Sequence, residues 1–186
     1  MHTTTSVLLP VGAAAKILKV NRWQLDKLIG CGLAAAPEVT AGGQRRVESA
    51  PVLELAARQF IDPPGPGPGR DLAVHLGPLR EDENGLANQR THLGWHATAN
   101  GLSRKQIEDA WAGLWPCHPE PYIGGALVGD VAGFVVVSGA ITGFRRINGK
   151  VRFDLAPATP DITARYAGKR FVPVQGGLVQ PLGQAR

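Results

Sequence analysis

Cysteine is scarce in this chain. Its two residues, Cys31 and Cys117, stand far apart with no C-x-x-C pair. That argues against a disulfide framework, and both thiols are expected to stay reduced. Long apolar runs are missing as well. No stretch approaches the roughly 20 residues needed to span a bilayer. The start, Met1-His2-Thr3-Thr4-Thr5, lacks the basic region and apolar core of a secretory signal. The expected location is the cytoplasm, with no membrane partner. Catalytic motifs are absent too: no P-loop, no G-x-G-x-x-G and no G-x-S-x-G elbow. With no convergent catalytic set, the chain reads as a non-enzymatic binding protein that needs no cofactor. There is also no heptad stretch to support a coiled coil.

What the sequence does have is unevenly placed charge. The net charge is +5, distributed as +2 over residues 1–62, −3 over 63–139 and +6 over 140–186. Two basic regions on one chain suit a polyanionic partner. A boundary is written at Asp62-Pro63-Pro64-Gly65-Pro66-Gly67-Pro68-Gly69. Proline removes backbone donors and glycine resists ordering, so no helix or strand is expected to cross it. This divides the 186 residues into an N-terminal domain at 1–62, a linker at 63–70 and a C-terminal domain at 71–186. As an extended tether the linker spans about 20 Å.

Hydrophobic spacing predicts three helices ahead of the linker, over Val11 to Leu18, Arg22 to Ile29 and Ser49 to about Phe60. Asn21 caps the second. Val39 and Val47 flank a Gly42-Gly43 turn and predict a small hairpin between the second and third helices. Beyond the linker, Leu72 to Leu76 reads as a strand. Ser103 to Leu114 reads as a helix opened by a Ser103/Gln106 capping box. The β-branched run Val131 to Ile141 reads as one buried strand. Asn148-Gly149 is a strong hairpin signal between Phe144–Ile147 and Val151–Leu155. A further hairpin is expected about Gln175-Gly176-Gly177. The fold class is α+β with a mostly antiparallel sheet.

Two short helices joined by a tight turn and packed on a third make a helix-turn-helix. Val20 is expected to plug the turn into the core, with Leu25, Leu28 and Ile29 facing inward. Asn21, Arg22, Trp23, Gln24 and Lys27 are left for a DNA-facing surface. Arginine bonds guanine bidentately, glutamine bonds adenine, and lysine reaches phosphate. Gln44, Arg45 and Arg46 follow the glycine turn as a basic wing. This order of turn, wing and helix, from Leu8 to about Phe60, resembles the excisionase and MerR-like winged helix-turn-helix families.

In the C-terminal domain, Arg145, Arg146, Lys150 and Arg152 sit on the two arms of the Asn148-Gly149 hairpin and are expected to face phosphates. Arg165, Lys169 and Arg170 follow and are expected to join that surface. His92, His96, Cys117 and His118 raise a zinc site, but Gly94 between the first two argues against a rigid display. They are read as ordinary surface or core residues. Glu81-Asp82-Glu83 is read as a solvated loop rather than a cation site.

The two-part layout, with its Asn21-Arg22-Trp23-Gln24 helix start, Gly42-to-Val47 wing and trailing Val131-to-Val137 segment, resembles the immunity repressors of temperate actinobacteriophages, the mycobacteriophage type among them. The resemblance implies a lysogeny repressor in the host bacterial cytoplasm. It would bind double-stranded operator DNA at an asymmetric site as a monomer through two domains. The alternatives are an excisionase-like bending factor, which the length disfavours, and a ligand-responsive MerR-like regulator. The latter dimerises through a long helix that Pro63-Pro64 would cut short here.

Overall fold

The computed structural model describes residues 7–61, 70–99, 101–172 and 177–182. Strand β1 (Leu8–Pro10) leads directly into α1 (Val11–Leu18), and α2 (Arg22–Gly30) follows a tight turn. Lys19 takes the left-handed conformation there, with φ 57°. Val20 N–H donates to Ala15 O at 3.0 Å, which folds the chain back over the end of α1. The start of α2 is fixed locally. Asn21 Oδ1 accepts the Gln24 N–H at 2.8 Å, and Gln24 Oε1 accepts the Asn21 N–H at 2.9 Å. This reciprocal capping box satisfies two otherwise orphaned donors.

Strands β2 (Glu38–Val39) and β3 (Arg45–Glu48) form the hairpin about Gly42-Gly43, and β3 also pairs with β1. Helix α3 (Ser49–Ala57) closes this half. It is shorter than expected, because Arg58 turns to extended backbone at φ −61°, ψ 132°. Ala14, Leu18, Leu25, Leu28, Val47, Val52 and Leu55 are buried between these elements.

The second half is built on a five-stranded sheet. Its strands are β4 (Asp71–His75), β7 (Ala126–Val131), β8 (Phe134–Ile147), β9 (Lys150–Pro157) and β10 (Val179–Leu182), in the order β10-β4-β7-β8-β9. Only β4 and β7 run parallel; the other pairs are antiparallel. A two-stranded ribbon, β5 (Arg80–Glu81) with β6 (His92–Leu93), encloses the short α4 (Gly85–Asn88). Helices α5 (Arg104–Ala112) and α6 (Pro160–Tyr166) complete an α+β fold. The Ser103/Gln106 capping box opens α5 as expected.

Several expectations need correcting. Val131 to Ile141 is not one strand: Ala132 and Gly133 both take positive φ, 54° and 87°, and turn β7 into β8. The continuous apolar run hides this turn because both of its arms are buried. Helix α5 stops at Ala112, where Gly113 adopts φ 70° and any Cβ would strike the Trp115 indole. Residues 173–176, the turn of the last expected hairpin, lie outside the described residues. The observed partner of β10 is β4.

The sheet is buried on both faces by side-chain alternation. Leu72, Val74 and Leu127 face the same apolar cluster as Leu25, Leu28 and Leu55 of the helical half. Ala73, Ala126 and Val128 face the other way, against Tyr166 of α6. On that second face the buried Asp71 carboxylate accepts from Tyr166 Oη, from Arg165 at 2.7 Å and from the Ala126 N–H at 2.7 Å. Burial and the neighbouring Asp71 carboxylate push the Tyr166 phenol above its ordinary pKa. The expected linker falls largely at 62–69, outside the described residues. Among the described residues, the helical half and the sheet share one core.

Candidate nucleic-acid interface

The exposed part of α2 is its first turn. Arg22 is exposed and has no acidic partner among the described residues. Trp23 is 65% exposed. The Lys27 ammonium does not project outward beside it: it lies 3.8 Å from the centre of the Trp23 ring, over its face. Burial lowers the Lys27 pKa, and only in part does the attraction of Asp130, from β7, oppose this. The C-terminal end of α2 runs into the second half, where Ala97 N–H donates to Cys31 O at 2.9 Å. A Cβ on Gly30 would sit 2.9 Å from the Pro78 ring. The surface available to a groove is therefore narrower than the sequence suggests and is centred on Arg22 and Trp23.

Asn21 and Gln24 are placed where expected but are committed to each other through the capping box. Gln24 Oε1 accepts the Asn21 N–H with one of its two lone pairs, so the cap fixes how the amide is oriented while leaving it donors and one acceptor position.

The wing is tied to this turn. Arg45 Nη2 lies 3.3 Å from Asp26 Oδ1 on α2, and both side chains are more than a third exposed. Arg46, its neighbour along β3, points to the opposite face by strand alternation, and its Nε is buried without a partner. The two wing arginines therefore do not share one surface. Gln44 is exposed at the turn, where its backbone N–H bonds Thr40 Oγ1 at 3.2 Å and its carbonyl accepts the Thr40 N–H at 2.9 Å.

The hairpin of β8 and β9 departs further from expectation. Arg145 pairs in register with Arg152, and Arg146 with Val151. Arg145 is exposed and lies 3.3 Å from Asp154. Arg146, on the other face, reaches Glu120 at 3.8 Å. Lys150 is exposed and unpaired among the described residues. Arg152 is a correction: it is buried, bonded to Asp109 of α5 and to the Gln89 carbonyl at 3.0 Å. It is thus spent on holding α5 and the α4 loop against β9. Nor do Arg165 and Arg170 join this surface. Arg165 is held by Asp71, and Arg170 stacks on Phe60.

The acidic partners are what sequence reasoning missed. Asp26 lies 19 residues from Arg45, and Asp109 lies 43 residues from Arg152. Asp82 belongs with them: its side chain is nearly buried and lies 2.5 Å from Arg90, so this part of the acidic run is not a solvated loop. Among the described residues no three His, Cys, Asp or Glu side chains gather as a metal site. Among the same residues no helix is long and apolar enough to cross a membrane. No family model matches this chain, and no curated protein sequence or solved structure shows significant similarity to it.

Proposed function

We propose that this protein is a sequence-specific, double-stranded DNA-binding transcriptional repressor of the phage immunity type, acting in the bacterial cytoplasm. The observation that supports this reading best is the first turn of α2. It presents Arg22 and Trp23 to solvent from a capped helix, with Arg45 of the β3 wing braced beside it through Asp26. A guanidinium and an indole on the N-terminal turn of a helix are the groups that read guanine edges and thymine methyls in a major groove.

In this reading Arg22 reads a base, Trp23 packs on a methyl or the backbone, and Arg45 and Gln44 touch phosphate or the minor groove. Arg145 and Lys150, which share one face of the hairpin, supply a second, phosphate-contacting surface. The protein binds as a monomer, because a base-reading turn and a different, backbone-gripping surface on one chain engage adjacent stretches of duplex without a second copy, so the operator is asymmetric. Selection of bound duplexes from a random pool tests this directly. One asymmetric motif bound by one chain is the expected result. A palindromic motif bound by two chains would overturn the monomer reading, and no enriched sequence at all would overturn specific binding.

A further inference from the structure

The two halves are joined by more than a shared core. Residues 59–61, just past α3, lie alongside residues 169–171, just past α6. Arg170 N–H donates to Gln59 O at 2.9 Å, and Ile61 N–H donates to Arg170 O at 2.8 Å. On its other edge the same segment bonds the start of β8. Val135 N–H donates to Lys169 O at 3.0 Å, and Phe171 N–H donates to Gly133 O at 2.9 Å. Backbone bridges run from Phe60 to Arg170 and from Phe134 to Arg170.

The Arg170 side chain lies across this seam. Its guanidinium stands 4.4 Å from the Phe60 ring centre and 5.7 Å from that of Phe134. Nη1 is directed at Leu18 O, 3.5 Å away at the end of α1, where the helix dipole is negative. Its Nε is buried with no partner. A buried, unpaired donor is unfavourable, so the cation is held here by the two rings and the helix end. A planar guanidinium can lie against both rings and still direct an Nη at Leu18 O, which a compact ammonium in its place does not do. From the opposite side of the seam, Arg58 Nη1 donates to Val135 O at 2.9 Å.

We infer that Arg170 is a positioning residue that latches the helical half to the sheet, so that the DNA-facing turn of α2 and the basic hairpin of β8 and β9 meet an operator at one fixed spacing and helical phase. Its consequence for DNA rests on the function proposed above; the latch itself is a property of the free protein.

The test uses the full chain with Arg170→Ala, Arg170→Lys and Phe60→Leu. In the free protein, residual dipolar couplings from the two halves should fit one alignment tensor for wild type. For Arg170→Ala and for Arg170→Lys the single-tensor fit should worsen, with the misfit concentrated in residues 7–61, since the shared core remains. On DNA, the selected operator is compared with versions carrying three extra base pairs between the half-sites, which rotate one relative to the other by about 100°. Wild type should lose at least about 100-fold on the insertion, because its second surface no longer engages. Arg170→Ala should bind the natural spacing about tenfold more weakly than wild type, then tolerate the insertion within about threefold. A single tensor and an unchanged spacing profile in Arg170→Ala would overturn the latch. If that variant fails to fold, Phe60→Leu keeps the guanidinium and both backbone bonds and carries the same comparison. If wild type selects no DNA sequence, the DNA reading falls while the tensors still decide the latch.

Discussion

The first turn of α2 with its wing and the hairpin of β8 and β9 carry similar numbers of basic residues, yet the two regions use them differently. On α2 Arg22 stands free, and on the β3 wing Arg45 is held by an ion pair whose members are both more than a third exposed. On the hairpin, Arg145 and Arg146 each have an acidic neighbour, Lys150 is free, and Arg152 is buried against Asp109. A count of cations treats these residues as equal. Their availability to a phosphate is decided by acids that other elements bring in. It also depends on strand alternation, which sends Arg45 and Arg46, like Arg145 and Arg146, to opposite faces.

The largest expected effect probes the buried end of this comparison. Arg152→Ala takes the buried guanidinium away from the Gln89 carbonyl and from Asp109, which keeps only its exposed partner Lys105 at 2.8 Å. The expected loss of folding stability is about 1.5–3 kcal/mol, the worth of hydrogen bonds to charged groups. Urea unfolding measures it, and adding Asp109→Ala should recover most of the loss. If stability is unchanged while DNA affinity falls, Arg152 is a DNA contact and the comparison collapses.

The exposed end comes next. Arg22→Ala should cost about 1–3 kcal/mol in operator affinity, concentrated at one base position, with unfolding unchanged. Binding to a panel of single-base variants reads this. Equal weakening across the whole panel would make Arg22 a backbone contact. Lys150→Ala should do less and do it uniformly: weaker binding to all sequences and a salt slope lower by about 1. An unchanged slope would remove the hairpin from the interface.

The parts of this molecule that were legible in its sequence are those with local causes. The starts of α2 and α5 were readable because a capping box needs only residues three apart. The β8–β9 turn was readable because Asn148-Gly149 supplies two adjacent residues at positive φ. Helix α6 carries an equally local signal: Thr159 caps it, and Pro160 and Asp161 fill its first turn. Strand β1 was not legible. Three residues ending in proline show no period, and the strand exists only because β3 lies beside it. The fate of Arg152 was hidden for the same reason, since it depends on where α5 docks. On the candidate site, the exposure of Arg22 and Trp23 at the start of α2 was readable from the sequence, while the placement of Lys27 was not. Nothing local revealed that Lys27 folds over Trp23 or that the far end of α2 packs on the sheet half.

The smallest expected effect concerns Asp26, the acid beside Arg45 on the proposed DNA-facing side. Two consequences of Asp26→Asn oppose each other. Losing the ion pair loosens the wing, because Arg45 no longer has a fixed partner on α2. Removing a negative charge also lowers repulsion from phosphates and leaves Arg45 free to meet one. Magnitudes decide between them. An ion pair this exposed is worth about 0.2–1 kcal/mol, whereas one additional phosphate neutralised, at a slope of about 0.9, gains about eightfold in affinity, or about 1.2 kcal/mol, per tenfold dilution of salt. The second effect should win. Asp26→Asn should bind scrambled DNA more tightly at low salt, with a steeper slope. Stability should change by less than about 1 kcal/mol, and preference for the selected operator should fall slightly because the added affinity carries no sequence information. Titrations against operator and scrambled duplex over a range of salt read all three. Weaker binding to both duplexes would mean that Asp26 serves DNA binding chiefly by aiming Arg45, so that the paired arginine on α2's side is as functional as the free one.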